Sequence, residues 1–193
     1  MNLKLTDKTA LVSGSTKGIG FAVASALARE GARVIVNGRS EKAVAEAKKQ
    51  IANAAPDAKV EGFAGDLSTE PATAALLRHF PLVDILVNNL GIFEPKPFEQ
   101  IPDEDWRRFF EVNVLSGVRL SRMYLPGMKQ RNWGAHRFHQ QRERDPDSRR
   151  DDSLRHDQDC PTGRLARSSR IVRRNVRDGK RGIARSDSFR RSG

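Results

Sequence analysis

The chain divides at Gly134/Ala135, and the division limits what each side can fold into. Residues 1–134 hold nine Lys, nine Arg and fifteen acidic side chains, with apolar residues recurring at strand and helix periods. The next 59 residues hold sixteen Arg, one Lys and nine acidic side chains, but only eight residues drawn from Ile, Leu, Val, Phe, Met, Trp and Tyr. So few apolar groups cannot offset the entropy of ordering a chain. A folded α/β region over 1–134 and a basic, disordered tail over 135–193 are therefore expected.

The same division reassigns the charge. The net +11 of the whole chain splits into +3 for residues 1–134 and +8 for 135–193. The tail carries the basicity, yet its acidic residues are interspersed and no aromatic-basic pattern occurs, which argues against a nucleic-acid arm. A single cysteine, Cys160, excludes an internal disulfide framework. Met1 to Ser13 lacks the basic-then-apolar layout of a secretory signal, and no apolar run reaches membrane-spanning length. A cytoplasmic protein without membrane partners is expected.

Within 1–134 the periodicity switches repeatedly between two and 3.6 residues. Thr9 to Ser13, Arg33 to Asn37, Lys59 to Ala64 and Asp84 to Asn88 read as strands, and 18–30, 40–54 and 71–79 read as helices. Pro102 opens a further helix, with Asp103, Glu104 and Asp105 at its positive end, that runs to about Lys129 with a break near Gly117. Strands alternating with helices of this length imply a doubly wound parallel sheet of the Rossmann type, here truncated after the fourth strand. Strand four would then lack a neighbour and expose an open edge.

Such sheets bind ligands at the carboxyl ends of their strands. The first loop there, Gly14-Ser15-Thr16-Lys17-Gly18-Ile19-Gly20, has glycines where a sharp turn, a close approach to pyrophosphate and tight helix packing need them. The free amides of the following helix suit phosphate. The second, Asn37-Gly38-Arg39-Ser40, lacks the carboxylate that would bind a ribose 2′-hydroxyl. Arg39 instead offers a donor fork for a 2′-phosphate, with Lys17 as a second cation, so NADP(H) is expected over NAD(H). The third holds Asp66-Leu67 and the fourth Asn88-Asn89-Leu90-Gly91.

These loops, together with Asn113 in Glu111-Val-Asn-Val114, make residues 1–134 resemble a short-chain dehydrogenase/reductase. The resemblance implies that Gly14, Gly18 and Gly20 cradle the pyrophosphate, Asp66 and Leu67 contact adenine, and Asn88 to Gly91 line the nicotinamide ribose. It makes Asn113 the catalytic asparagine that holds a water of the proton relay, in hydride transfer between nicotinamide and an alcohol or carbonyl substrate. Leu90 departs from the family's usual alanine, placing a bulkier side chain beside the cofactor.

The rest of the family's catalytic set is missing. A serine after strand five, a tyrosine thirteen residues on and a lysine four further are implied, but no tyrosine follows Gly134 and the one lysine there is Lys180. A single-base frameshift accounts for this. Read one base later, the codons of Ala135 to His139 permit Arg-Ile-Val-Phe-Ile, Gln140-Gln141 permit Ser-Ser, Leu154 permits tyrosine and Gln158 permits lysine or arginine. The chain as written is thus expected to be inactive, and a homo-oligomer is implied for the in-frame form only. A non-catalytic nucleotide-binding remnant or a basic nucleic-acid-binding module is the alternative. His136, His139, His156 and Cys160 have zinc-like spacing but no folded context, and no metal site is expected.

Overall fold

A computed structural model describes residues 3–139. The expectation of disorder for residues 140–193 lies outside the described residues.

Five parallel strands form one sheet in the order β3-β2-β1-β4-β5. They are β1 (Thr9–Val12), β2 (Arg33–Gly38), β3 (Val60–Ala64), β4 (Ile85–Asn88) and β5 (Ala135–Phe138). Helices α1 (Gly18–Arg29), α2 (Glu41–Ala54) and α3 (Glu70–His79) follow the first three strands, and α4 (Asp103–Phe110) and α5 (Ser116–Gln130) lie between β4 and β5.

Both faces of the sheet are covered, which is why β1, β2 and β4 read as unbroken apolar runs. Alternate side chains go to opposite layers. Ala10, Val12, Val34, Val36, Ile85 and Val87 pack with Ala24 and Ala28 of α1 and Ala47 and Ile51 of α2. Leu11, Ile35 and Leu86 pack with Leu76 of α3 and Leu120, Tyr124 and Met128 of α5. The Tyr124 hydroxyl donates to the Phe80 carbonyl at 2.9 Å, and burial pushes its pKa up to about 12.

Two expectations are corrected. The sheet does not stop at its fourth strand: Ala135–Phe138 lies parallel to β4, with Ile85 opposite Ala135 and Asn88 opposite Phe138. The Ala135 N–H donates to the Asp84 carbonyl at 2.9 Å and the His139 N–H to the Asn88 carbonyl at 2.8 Å. Pairing of this kind uses groups that every non-proline residue carries, so the altered composition after Gly134 does not prevent it. Among the described residues, the edge strand on this side of the sheet is therefore β5. The break in the long helix also comes earlier than Gly117, as a π-helical turn over Glu111–Leu115.

Candidate cofactor site

The strand order reverses between β1 and β4, so the loops leaving these two strands flank a crevice at the carboxyl edge of the sheet. Ser13 and Asn89 join the two loops. The buried Ser13 Oγ accepts the Asn89 and Leu90 N–H groups at 2.9 and 3.0 Å. The Asn89 carboxamide in turn donates to the Ser13 and Gly14 carbonyls, both at 3.0 Å.

The glycines of the first loop have separate physical causes. Gly14 and Gly18 both have φ of +60°, a conformation that costs other residues about 1 kcal/mol. A Cβ on Gly18 would meet nothing within 4 Å, so its exposed backbone faces open space in front of the α1 amino terminus. Gly20 is crowded: a Cβ there would lie 2.5 Å from the Gly14 carbonyl oxygen and collide with the Asn89 carboxamide. Ser15 is buried, donating to the Val12 carbonyl at 2.6 Å and accepting the Asn37 N–H at 2.9 Å. The Thr16 methyl packs where Gly38 lacks a side chain, while Lys17 and Ile19 are exposed.

At the end of β2, Arg39 is exposed. Ser40 caps α2, its Oγ accepting the Ala43 N–H at 3.3 Å. After β3, the exposed Asp66 accepts the Ser68 N–H and Oγ–H on Oδ1 at 3.0 and 2.7 Å, whereas the Leu67 side chain enters the core. After β4, Leu90 packs against the α3/α5 core with its Cδ1 near Gly14, and Gly91 is half-buried. The Asn88 carboxamide lies on the α5 side of the sheet, 3.2 Å from Ser121 Oγ and 3.0 Å from His136 Nε2. His136 Nε2 is also 2.7 Å from Ser121 Oγ, and burial holds the His136 pKa below its ordinary value.

Asn113 lies in the π-helical turn, a feature frequent at functional sites. Its carboxamide brackets one residue of the loop after β4, donating to the Ile92 carbonyl at 3.0 Å and accepting the Ile92 N–H at 2.7 Å. The same loop is tied to α4 by charge. Arg108 meets Glu94 at 2.5 Å and Lys96 meets Asp105 at 2.6 Å. Arg108 and Lys96 hold the Glu94 carboxyl below its usual range, and Lys96 chiefly does the same for Asp105.

Two residues that bear on this site carry no distinctive sequence signal of their own. Asn37 reads as a strand end, yet it is 1% exposed and its carboxamide reaches the backbone of Gly14, Phe63 and Gly65. Ser13 reads as the end of a strand. Neither the zinc-like spacing nor any other group of His, Cys, Asp and Glu forms a metal cluster among the described residues, and His156 and Cys160 lie outside them. No helix among the described residues is long and apolar enough to cross a membrane.

The short chain dehydrogenase family model matches residues 8–135. An uncharacterized oxidoreductase of Bacillus subtilis, YvaG, is 52% identical over 134 residues, covering 69% of this chain and 51% of that protein. D-beta-hydroxybutyrate dehydrogenase of Cupriavidus necator is 41% identical over 134 residues, or 67% of this chain and 51% of its own length. The crystal structure of L-sorbose reductase from Gluconobacter frateurii, complexed with NADPH and L-sorbose, superposes with a TM-score of 0.65 at 31% identity, over 72% of this chain and 54% of that one. The chain thus spans about half the length of the curated relatives it matches. With the glycine loop, the crevice between β1 and β4 and these relatives in agreement, the chain belongs to the short-chain dehydrogenase family.

Proposed function

We propose that residues 1–134 form the dinucleotide-binding half of a short-chain oxidoreductase that prefers NADP(H). The observation that carries the reading is the Gly18 backbone, which among the described residues faces open space at the amino end of α1, with no side chain or neighbouring atom within 4 Å of where a Cβ would stand. A pyrophosphate there would meet free amides at the positive end of the helix dipole.

Preference for the 2′-phosphate follows from what ends β2. The Asn37 carboxamide is engaged by Gly14, Phe63 and Gly65, and the end of β2 offers no carboxylate to bind a 2′-hydroxyl or repel a phosphate. The exposed Arg39 and Lys17 supply positive charge instead. Asp66 would accept from the adenine amine, and the loop from Asn88 through Leu90 to Gly91 would line the nicotinamide ribose. The bound dinucleotide would supply or take up a hydride. Among its relatives, an L-sorbose reductase was solved with NADPH.

Turnover is a separate matter. No tyrosine follows Gly134, so the chain as written has no positioned acid/base for the substrate oxygen, a loss worth about a hundredfold to ten-thousandfold in rate. Asn113 cannot replace it, because both polar ends of its side chain are held by Ile92. The reading is therefore a nucleotide-binding chain without dehydrogenase activity, whose in-frame counterpart acts on an alcohol or carbonyl. Resequencing the coding DNA across codons 131 to 140 tests the frameshift.

Calorimetric titration of the full chain and of Arg39→Asp with NADPH and NADH tests the cofactor assignment. The substitution should shift the affinity ratio toward NADH by about tenfold or more. An unchanged ratio refutes the assignment. NADPH-dependent turnover of a carbonyl panel by the purified chain, abolished by Asn113→Ala, refutes the claim of inactivity.

A further inference from the structure

Arg119, in the first turn of α5, joins two segments that the sheet topology leaves far apart in sequence. Its Nη1 donates to the Ser68 carbonyl at 2.7 Å and lies 2.5 Å from Glu111 Oε1, with three-quarters of the side chain buried. Ser68 belongs to the turn after β3, and Glu111 opens the π-helical turn that carries Asn113.

The turn after β3 is tied to the end of β2 at Gly65, whose N–H donates to the Gly38 carbonyl at 2.8 Å and whose carbonyl accepts from Asn37 Nδ2 at 3.1 Å; beyond Gly65 its other bonds are internal. The Ser68 N–H and Oγ–H both go to Asp66 Oδ1, and the Thr69 N–H and Oγ–H both go to the Asp66 carbonyl at 3.0 and 2.8 Å. Those bonds set the shape of the turn but not its position over the sheet. Position comes from the Gly65 bonds to β2 at the start of the turn, from Leu67 in the core, and at Ser68 from the Arg119 guanidinium. Asp66 Oδ2 has no protein hydrogen bond among the described residues, and is left to accept from a ligand amine. A charged donor on a backbone carbonyl is among the stronger bonds available for holding such a turn.

We infer that Arg119 is a positioning residue for adenine recognition: through the Ser68 carbonyl it sets where Asp66 meets the adenine amino group, and through Glu111 it ties that end of the cleft to the Asn113 turn. The inference rests on the dinucleotide reading above. Neither Arg119 nor Glu111 touches the nucleotide in this account, so their effect must appear as selectivity for the base.

The full chain, Arg119→Met and Arg119→Lys are titrated with NADPH and with its hypoxanthine counterpart, in which a carbonyl oxygen replaces the adenine amine. The unsubstituted chain should favour the adenine form by about tenfold, because the carbonyl would face a carboxylate. In Arg119→Met the ratio should fall toward one; in Arg119→Lys it should fall partway, since a lysine ammonium keeps the charge but sits on a shorter side chain than Nη1, which makes both contacts. A ratio in Arg119→Met equal to that of the unsubstituted chain, with both dinucleotides weakened alike, overturns the inference and leaves the dinucleotide reading standing. Should Arg119→Met not fold, Glu111→Gln serves: it should lower the ratio severalfold, and an unchanged ratio overturns the inference. An unsubstituted chain that binds neither dinucleotide, or binds both equally, overturns the adenine reading and the inference with it.

Discussion

The Asn37 carboxamide holds Gly14 in place: its Oδ1 accepts the Gly14 N–H at 3.1 Å while its Nδ2 donates to the Phe63 and Gly65 carbonyls, each at 3.1 Å. One buried side chain thus bonds the glycine loop, β2 and the end of β3 together. Asn37→Ala removes the side-chain partner of three half-buried backbone groups and should cost about 3 kcal/mol after partial relaxation. Asn37→Asp keeps the acceptor but aims a carboxylate at two carbonyls, and should cost at least as much. Urea unfolding of both variants checks this; an Asp variant as stable as the parent would show that the network tolerates charge.

Gly18 and Gly20 should separate under substitution by alanine. At Gly18 there is room, so the cost is the left-handed backbone, about 1 kcal/mol, with a clear loss of nucleotide affinity because the methyl projects into the proposed pyrophosphate space. At Gly20 the methyl would strike the Gly14 carbonyl and the Asn89 carboxamide, costing about 1–3 kcal/mol of stability even without ligand. Thermal unfolding of the two apo variants side by side distinguishes these effects. Equal losses would contradict the difference in packing.

His136 should give the fold an acid-side weakness. Burial favours its neutral form, so its folded pKa lies below the unfolded value of about 6.5. Stability is then fully present above that value and declines as pH falls toward the folded pKa, because the unfolded chain takes up the proton first. A proton on Nε2 would also face the Asn88 amide N–H. His136→Leu should flatten the dependence of unfolding free energy between about pH 7 and 5 relative to the parent. A slope unchanged by the substitution would place the effect elsewhere.

Tyr124 supplies a test on the alkaline side, and it is the chain's single tyrosine. Absorbance at the phenolate band should rise near pH 12 instead of about 10, with the signal arriving earlier if the protein unfolds. The raised pKa means that stability holds below about pH 10 and is lost as pH rises through the folded value. Tyr124→Phe should cost about 1 kcal/mol by removing the bond to Phe80. A titration midpoint near 10 in the folded protein would refute the buried hydroxyl.

The elements that carry the site were readable because their signals are local. Gly14, Gly18 and Gly20 stand at spacings that a strand-turn-helix unit requires, and the runs Thr9–Val12 and Ile85–Asn88 are apolar on both faces because both faces are covered. Long-range polar bonding has no such signature. Asn37 reaching Gly65, Asn88 turning toward Ser121, and Arg119 reaching Ser68 each depend on which loops the topology brings side by side. The π-helical turn was displaced from the expected break because Gly117 looks like a helix breaker, whereas it serves as a flat spot against Phe138 and Asn88. The fifth strand escaped notice for a third reason: composition reports on cores, and β5 adds little to one.

That strand has a consequence for how errors in such a chain would be felt. Ala135–Phe138 docks on β4 chiefly through amides and carbonyls that any codon for a non-proline residue provides. Were the reading frame to slip at Gly134, the growing sheet would register almost nothing for four residues, and the first party to notice would be a substrate finding no proton donor.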